Sequence, residues 1–398
     1  LIRLRDAVRG AGRLAIETGT GVTMARSANV TQWLAWALMI LTDSMNRPGG
    51  AWFHPGYAYQ LESFPALPIS PPEGTFGPGP RSRPEARSFL GEWPCAALAD
   101  EIDAGNIRAL VNLGGGLLTA FPNAAALRSA LDRLDVLATL EILPTEITAV
   151  STHVLPAKDQ LERADVTLWD ILSTNVSAQY TPAVVAPAGE RRSAWWVLAE
   201  LGRRLGHDLC DRGIAGDIGG KVAPDADDAM LARVMGRARG EFADLVAAGY
   251  QEAPRELPAA WVEAHLDRLG GWRMAPQALV DQLAAMSSPE PLMLVPRRQK
   301  RHLNSQLTFL GDRAEILLHP DDAATAGIGD GQPATVRNRL GTVTGIARLT
   351  TEIRPGAVSV PHGYPGANVN LLTDDADIDP LTGMTRYSGL PVSIAPAQ

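Results

Sequence analysis

Hydrophobic and polar positions change period several times along the chain, and each change predicts an element. Residues 1–12 read as the tail of a helix, and "RLAIETGTGV" reads as a buried strand entering a turn at Gly19 and Gly21. Asn29 to Leu41 has helical spacing, with Trp33, Leu34, Ala37, Leu38 and Leu41 on one face, and "NRPGG" stops it. After an irregular Pro/Gly-rich stretch at 54–92 the pattern resumes. "AALADEIDAG" is helical, "IRALVNLGGG" is a strand ending in a glycine turn, "NAAALRSALDRL" is helical, and "DVLATLEIL" and "STHVLPA" are strands. Strands alternating with helices at this spacing predict a parallel sheet with helices on both faces and ligands beyond the strands' carboxyl ends. "SAWWVLAELGRRLGHDL" is an amphipathic helix, and 225–284 reads as helices broken by Pro254, Pro258 and Gly270–Gly271. From Pro291 the texture is short β segments at close, even spacing, which predicts a small closed barrel. One helix interrupts it, "PDDAATAG", capped by Asp321 or Pro320 and ended by Gly327.

The expected organisation is an α/β domain over 1–210 carrying the insert at 54–92, a helical linker over 211–288, and a β-barrel domain over 289–398. With 45% hydrophobic and 20% charged residues, the chain has ample core material. A net charge of −8 argues against a non-specific nucleic-acid binder, which needs a basic surface. No apolar run reaches about 18 residues, so no membrane span is expected. Two cysteines, Cys95 and Cys210, lie far apart and support neither a disulfide framework nor an all-cysteine metal site. The first residue falls inside a helical pattern without Met, so an upstream portion is expected.

Candidate chemistry concentrates in four places. "TGTGV" (18–22) and "NLGGGLL" (112–118) are glycine turns after strands, where backbone amides can approach a phosphate; each alone is equally a plain tight turn. Glu141 and Thr145 follow at a strand end, suited either to a ribose or guanine edge or to helix capping. "PRRQKRHLNSQ" (296–306) is the densest basic run of an acidic chain and sets Arg298 beside Asn304 and Ser305; it is a phosphate grip or a solvated face. "VPHGYPGANVNLLTD" (360–374) sets His362 and Asn370 in a Gly/Pro-rich loop, facing a ligand or bonding their own turn. The seven histidines include no pair three or four apart, and there is no GxSxG elbow. No catalytic residue and no metal ligand can be named.

Taken in order, these segments resemble the molybdopterin oxidoreductase family, which includes formate dehydrogenases, nitrate reductases and dimethyl sulfoxide reductases. "TGTGVTMARSANVTQWLAWALMILTDSMNRPGGAWF" resembles its segment of glycine turn, helix and "GG". "ALVNLGGGLLTAFPN" resembles its "GxNP" turn, and "LEILPTEITAVSTHVLPAKDQLER" its "D…TETA..ADVVLPA…E" stretch. "HPDDAATAGIGDG", "RPGAVSVPHG" and "NVNLLTD" resemble its C-terminal dinucleotide-binding domain. The chain departs from these patterns with Gly116–Leu117 in place of "NP", Glu141 in place of Asp, Ile147 in place of Thr and His153 in place of Asp.

The resemblance implies a partial Rossmann-like domain followed by a double-psi-like β-barrel. It implies a bis-molybdopterin guanine dinucleotide cofactor with molybdenum or tungsten, and a 4Fe-4S cluster and the metal ligand upstream. The implied cofactor contacts are Gly19, Gly21, Gly114, Gly115, Glu141 and Thr145 from the α/β part, with Arg298, Asn304, Ser305, His362 and Asn370 from the barrel. It further implies two-electron chemistry on a small substrate, formate first, and a possible electron-transfer subunit. A cysteine-poor chain suits cytosol or periplasm, and a cytoplasmic location is expected. The alternative is a cofactor-free structural or electron-transfer subunit of the same descent. An NAD-dependent dehydrogenase is disfavoured, because "TGTGVT" lacks a third glycine and no acidic residue ends the next strand.

Overall fold

A computed structural model describes residues 1–63, 76–89, 91–207, 209, 226–256, 258–286, 291–300, 302 and 313–397. The expected parallel sheet is present as three strands, β1 (Ala109–Leu113), β2 (Val136–Glu141) and β3 (His153–Pro156), paired in that order. β2 is central and almost wholly buried, as an apolar run between two parallel neighbours should be. Helices α4 (Leu98–Asp103) and α6 (Ala124–Leu131) pack on the sheet through Ile102, Leu127, Ala130, Leu131 and Leu137. Helices were expected on both faces. Among the described residues the edge strand β1 leaves Val111 and Leu113 exposed, at 42% and 55%.

Two further expectations fail near the start. The segment 13–19 forms no strand: among the described residues nothing runs alongside it to complete a ladder, and its amides reach only side chains, Ser44 Oγ from Leu14 and Met39 Sδ from Ile16. Helix α1 (Ile2–Ala11) buries no residue, and α2 (Thr20–Thr23) is a single turn. Helix α3 (Ala28–Leu41) forms where expected, yet Leu34, Leu38 and Leu41 are exposed and only Val30 and Met39 are buried. The apolar stripe read from the sequence is covered only in part: Trp33 and Ala37 are half-buried, and Trp33 Nε1 donates to the Met274 carbonyl at 2.7 Å.

The stretch read as purely helical contains a strand. Three strands, β4 (Asp165–Val166), β5 (Val176–Thr181) and β6 (Tyr250–Ala253), make an antiparallel sheet with β5 in the middle. Helices α5 (Leu117–Ala120) and α7 (Glu146–Val150) precede this sheet in the chain, and α8 (Ala194–Arg204) lies between β5 and β6. A buried ion pair, Lys158 Nζ to Asp227 Oδ2 at 2.9 Å, ties the segment after β3 to the following helices. Ser193 and Trp195 donate to the other oxygen of Asp227.

The C-terminal strands form one sheet. They are β7 (Met293–Arg297), β8 (Glu315–Leu318), β9 (Pro333–Arg337), β10 (Thr342–Leu349), β11 (Ala357–Pro361), β12 (Leu390–Pro391) and β13 (Ser393–Pro396). Their order is β12-β7-β11-β8-β10-β9-β13, with β8–β10 and β7–β11 parallel and the rest antiparallel. The two edge strands are separated in the chain by Val392 alone, so the sheet must curl until its edges approach. It is a curled, open sheet around a core of Leu294, Ile316, Leu318, Val336, Val343 and Val358. The helix Pro320–Ala326 is capped one residue earlier than expected: His319 Nδ1 accepts from the Asp321 amide, while Gly327 ends it at φ 69°. No helix among the described residues is long and apolar enough to cross a membrane.

Candidate functional site

Because the strands of a parallel sheet all end on one side, their carboxyl tips bring distant turns together. Leu113 pairs with Leu140, so Gly114 and Glu141 are neighbours at that edge. The edge faces the curled sheet across a cavity of about 690 Å³. Gly21, Gly114, Gly115, Arg298, His362 and Asn370 all line it, from four separate segments of the chain.

The two glycine turns differ. Gly114 and Gly115 have φ of 74° and 77°, where L side chains are strained, so this turn requires glycine. Gly19 is extended, at φ −103°, and opens α2 next to the cavity wall; a Cβ on Gly19 or Gly21 would meet open space. The second turn feeds directly into α5, whose start adds amides with no intrahelical partner.

Arg297 and Arg298 divide their work by strand alternation. Arg297 braces the curled sheet, donating to the carbonyls of Ser359 at 2.8 Å and Glu315 at 2.6 Å, and burial pulls its pKa down to about 10. Arg298 instead lines the cavity. Opposite it, burial pushes His362 below the ordinary histidine range, with Arg298 and His302 adding to the effect. A neutral imidazole beside a guanidinium suits an anionic ligand, whose charge would favour protonation.

Glu141 is buried at 7% exposure. Its Oε1 accepts from the Ile142 amide at 2.8 Å, and its Oε2 is buried with no hydrogen-bond partner among the described residues. A carboxylate only accepts, so this oxygen calls for a donor. Thr145 caps α7, where Thr148 Oγ1 takes the Thr145 amide at 2.8 Å. Neither Glu141 nor Thr145 is part of the cavity lining. Asn370 lines the cavity, but its side-chain NH2 donates to the Thr119 carbonyl at 2.7 Å. Asn304 and Ser305 lie outside the described residues.

Sequence reasoning missed one wall. Tyr387 and Ser388 line the cavity because both of their amides donate to the Met24 carbonyl, at 2.9 and 3.1 Å, and Arg26 N–H returns to Ser388 O. Such backbone pairing across about 360 positions leaves no local signature in the sequence. Among the described residues no group of three His, Cys, Asp or Glu could hold a metal ion.

The glycine turn at the tip of the layered sheet thus faces Arg298 and His362 of the C-terminal part across one cavity. Family models agree in both halves: "Molybdopterin oxidoreductase" matches residues 9–204 and "Molydopterin dinucleotide binding domain" matches 292–391. The chain belongs to the molybdopterin oxidoreductase family. It is 27% identical over 294 residues to the NADPH-Fe(3+) oxidoreductase subunit alpha of Geobacter sulfurreducens, covering 72% of this chain and 31% of that one. It is 24% identical over 326 residues to the assimilatory nitrate reductase catalytic subunit of Bacillus subtilis, covering 75% and 43%. Among solved structures, acetylene hydratase from Pelobacter acetylenicus shares the fold at TM-score 0.58 and 16% identity, over 78% of this chain and 47% of that one. The matched part thus spans 31% to 47% of the length of these relatives.

Proposed function

We propose that this chain grips a pterin guanine dinucleotide, one half of a bis-molybdopterin cofactor carrying molybdenum or tungsten, in an oxidoreductase that acts on a small substrate. The convergence of the Gly114–Gly115 turn, Arg298 and His362 on one cavity carries this reading. The residues fit the group. Glycine-turn amides and Arg298 suit its phosphates, and Glu141 Oε2 suits the N1–H and N2–H donors of guanine. Thr145 and Gly19 would support the same end, and Asn304 and Ser305 would extend the grip beyond Arg298. The curled sheet, its edges meeting at Val392, is read as the double-psi barrel of the family.

When bound, the cofactor supplies the two-electron chemistry. The chain's own residues hold the nucleotide, orient the pterin and keep water from it. The metal ligand and a 4Fe-4S cluster would come from outside this chain, as would contacts to an electron-transfer subunit. The relatives are named for iron(III), nitrate and acetylene, and formate is the first substrate to assay. The test is composition. Purified native protein should release GMP on mild acid hydrolysis, give a fluorescent oxidised pterin, and contain molybdenum or tungsten. Protein with none of these is the cofactor-free structural subunit, and the proposal is wrong.

A further inference from the structure

Helix α5 is four residues long, too short to hold itself together, and it follows immediately on the Gly114–Gly116 turn. Its carbonyls at the C-terminal end need partners. Leu117 O takes the Phe121 amide at 3.0 Å. The next three carbonyls are each taken by a side chain of the C-terminal domain, about 250 positions away. Asn368 Nδ2 donates to Leu118 O at 2.6 Å, Asn370 Nδ2 to Thr119 O at 2.7 Å, and Tyr387 Oη to Ala120 O at 2.9 Å. Just beyond, the Asn123 amide donates to Thr373 O at 3.0 Å, and its Nδ2 reaches both oxygens of Asp375.

Both asparagine amides are oriented by a second bond. Asn368 Oδ1 accepts from the Asn370 amide at 3.0 Å, and Asn370 Oδ1 from Thr373 Oγ1 at 3.1 Å. With each oxygen so engaged, each NH2 must face the helix end. Asn368 and Asn370 are 7% and 3% exposed, so water is a poor substitute. The turn before α5 has two glycines at positive φ, and the side chains that hold it belong to the two flanking elements: Asn112 Nδ2 of β1 donates to Gly115 O at 3.4 Å and Thr119 Oγ1 of α5 to Gly116 O at 3.2 Å. Its geometry is therefore fixed by the β1 ladder on one side and by α5 on the other.

We propose that Asn368, Asn370 and Tyr387 are positioning residues: they cap α5 in trans, and the C-terminal domain thereby sets the shape of the glycine turn at the tip of the other domain's sheet. The consequence for cofactor rests on the pterin-nucleotide reading above; the trans cap itself does not. Asn368 is the clean probe, because it does not line the cavity.

The experiment compares hydrogen exchange and cofactor content in the native protein. Asn368→Asp keeps the size and the acceptor but removes the donor, and the milder Tyr387→Phe removes one hydroxyl. Lys158→Met serves as a control that weakens the fold elsewhere. In Asn368→Asp, amides of 114–121 should exchange at least tenfold faster while β8 and β11 keep wild-type protection. Guanine nucleotide retained through gel filtration should fall in parallel, by about tenfold in dissociation rate. Tyr387→Phe should show the same local change, smaller. Lys158→Met should speed exchange around 158 and 227 without singling out 114–121. Unchanged exchange at 114–121, or an equal rise across the whole chain, overturns the trans cap. Faster exchange there with undiminished nucleotide retention overturns its positioning role. If wild-type protein holds no nucleotide, the pterin reading fails, and the exchange data still decide the cap.

Discussion

Glu141→Gln separates a ligand-reading carboxylate from a merely buried one. The substitution is isosteric and preserves the Oε1 bond from the Ile142 amide, 2.8 Å long. It replaces the unpartnered Oε2 with an NH2 group, a donor facing the donors of guanine. Hydrogen bonds to a charged group contribute about 1.5–3 kcal/mol. At 1.4 kcal/mol per factor of ten, losing even one weakens nucleotide retention by about 10- to 100-fold. In cofactor-free protein the sign reverses. An unsatisfied buried charged acceptor costs roughly 1–3 kcal/mol, and the neutral amide removes part of that cost. The apo variant should therefore melt at or slightly above wild type, by up to about 3 °C for a unit of this size. Differential scanning fluorimetry of apo protein and GMP quantitation after gel filtration read the two effects. Glu141→Asp, the residue usual in the family pattern, should retain nucleotide better than Gln. If the Gln variant keeps nucleotide within about twofold of wild type, or loses several degrees in the apo form, Glu141 is a structural carboxylate and the guanine assignment falls.

Three further outcomes follow from the same geometry. Arg298→Ala should lower pterin content without changing the apo melting temperature beyond about 1 °C, since its guanidinium faces the cavity, unlike that of Arg297. Lys158→Met should destabilise the chain by about 3–5 kcal/mol, because it leaves Asp227 buried without its cation, and chemical denaturation would show a lowered midpoint. His362 should titrate below the ordinary histidine value of about 6.5 in apo protein, by NMR. A depressed pKa means the unfolded chain binds this proton more readily, so the contribution is full above about pH 6.5 and is lost as pH falls through the folded value. Adding pyrophosphate to the cavity should move the His362 titration upward; no movement would place the anion elsewhere.

Most strands and helices were legible, because burial writes its period into the sequence. β9 alternates as expected, with Ala334 and Val336 inside and Pro333 and Arg337 outside. β2, buried throughout, reads as a solid apolar run. What failed was whatever depends on a partner. The 13–19 segment is as apolar as a strand, but a strand exists only beside another, and sequence does not show whether one is there. The α3 stripe is amphipathic whether or not anything covers it. Gly114, Gly115, Arg298 and His362, singled out because residue type alone limits what they do, all line one cavity. Asn370 lines the same cavity but spends its NH2 on the Thr119 carbonyl, since an amide that can read a ligand can equally cap a helix. Tyr387 and Ser388 were invisible, because backbone pairing to Met24 puts them there and any residue can pair its backbone.

Whether a buried polar group serves the fold or a ligand is decided by what remains after the protein's own bonds are assigned. Asp227 has both oxygens engaged, by Lys158, Ser193 and Trp195. Glu162 takes Ala188, Arg191 and Asp159, and Asp379 takes Asn29, Leu381 and Thr382. These carboxylates are complete, and in each the bonds hold the pKa below the ordinary range against burial. Glu141 is incomplete. Asp170 and Glu62 also leave an oxygen without a partner, so incompleteness alone does not select a ligand site. Position does: Asp170 uses its other oxygen to hold the Tyr57 and Ser177 amides, and Glu62 faces Arg239, whereas Glu141 sits at a parallel-sheet tip beside the Gly114–Gly115 turn. Glu141 and the turn are adjacent because the strand register makes them so. A one-residue slip of β1 against β2 would carry Gly114 away from Glu141 and dismantle the site while leaving both strands intact.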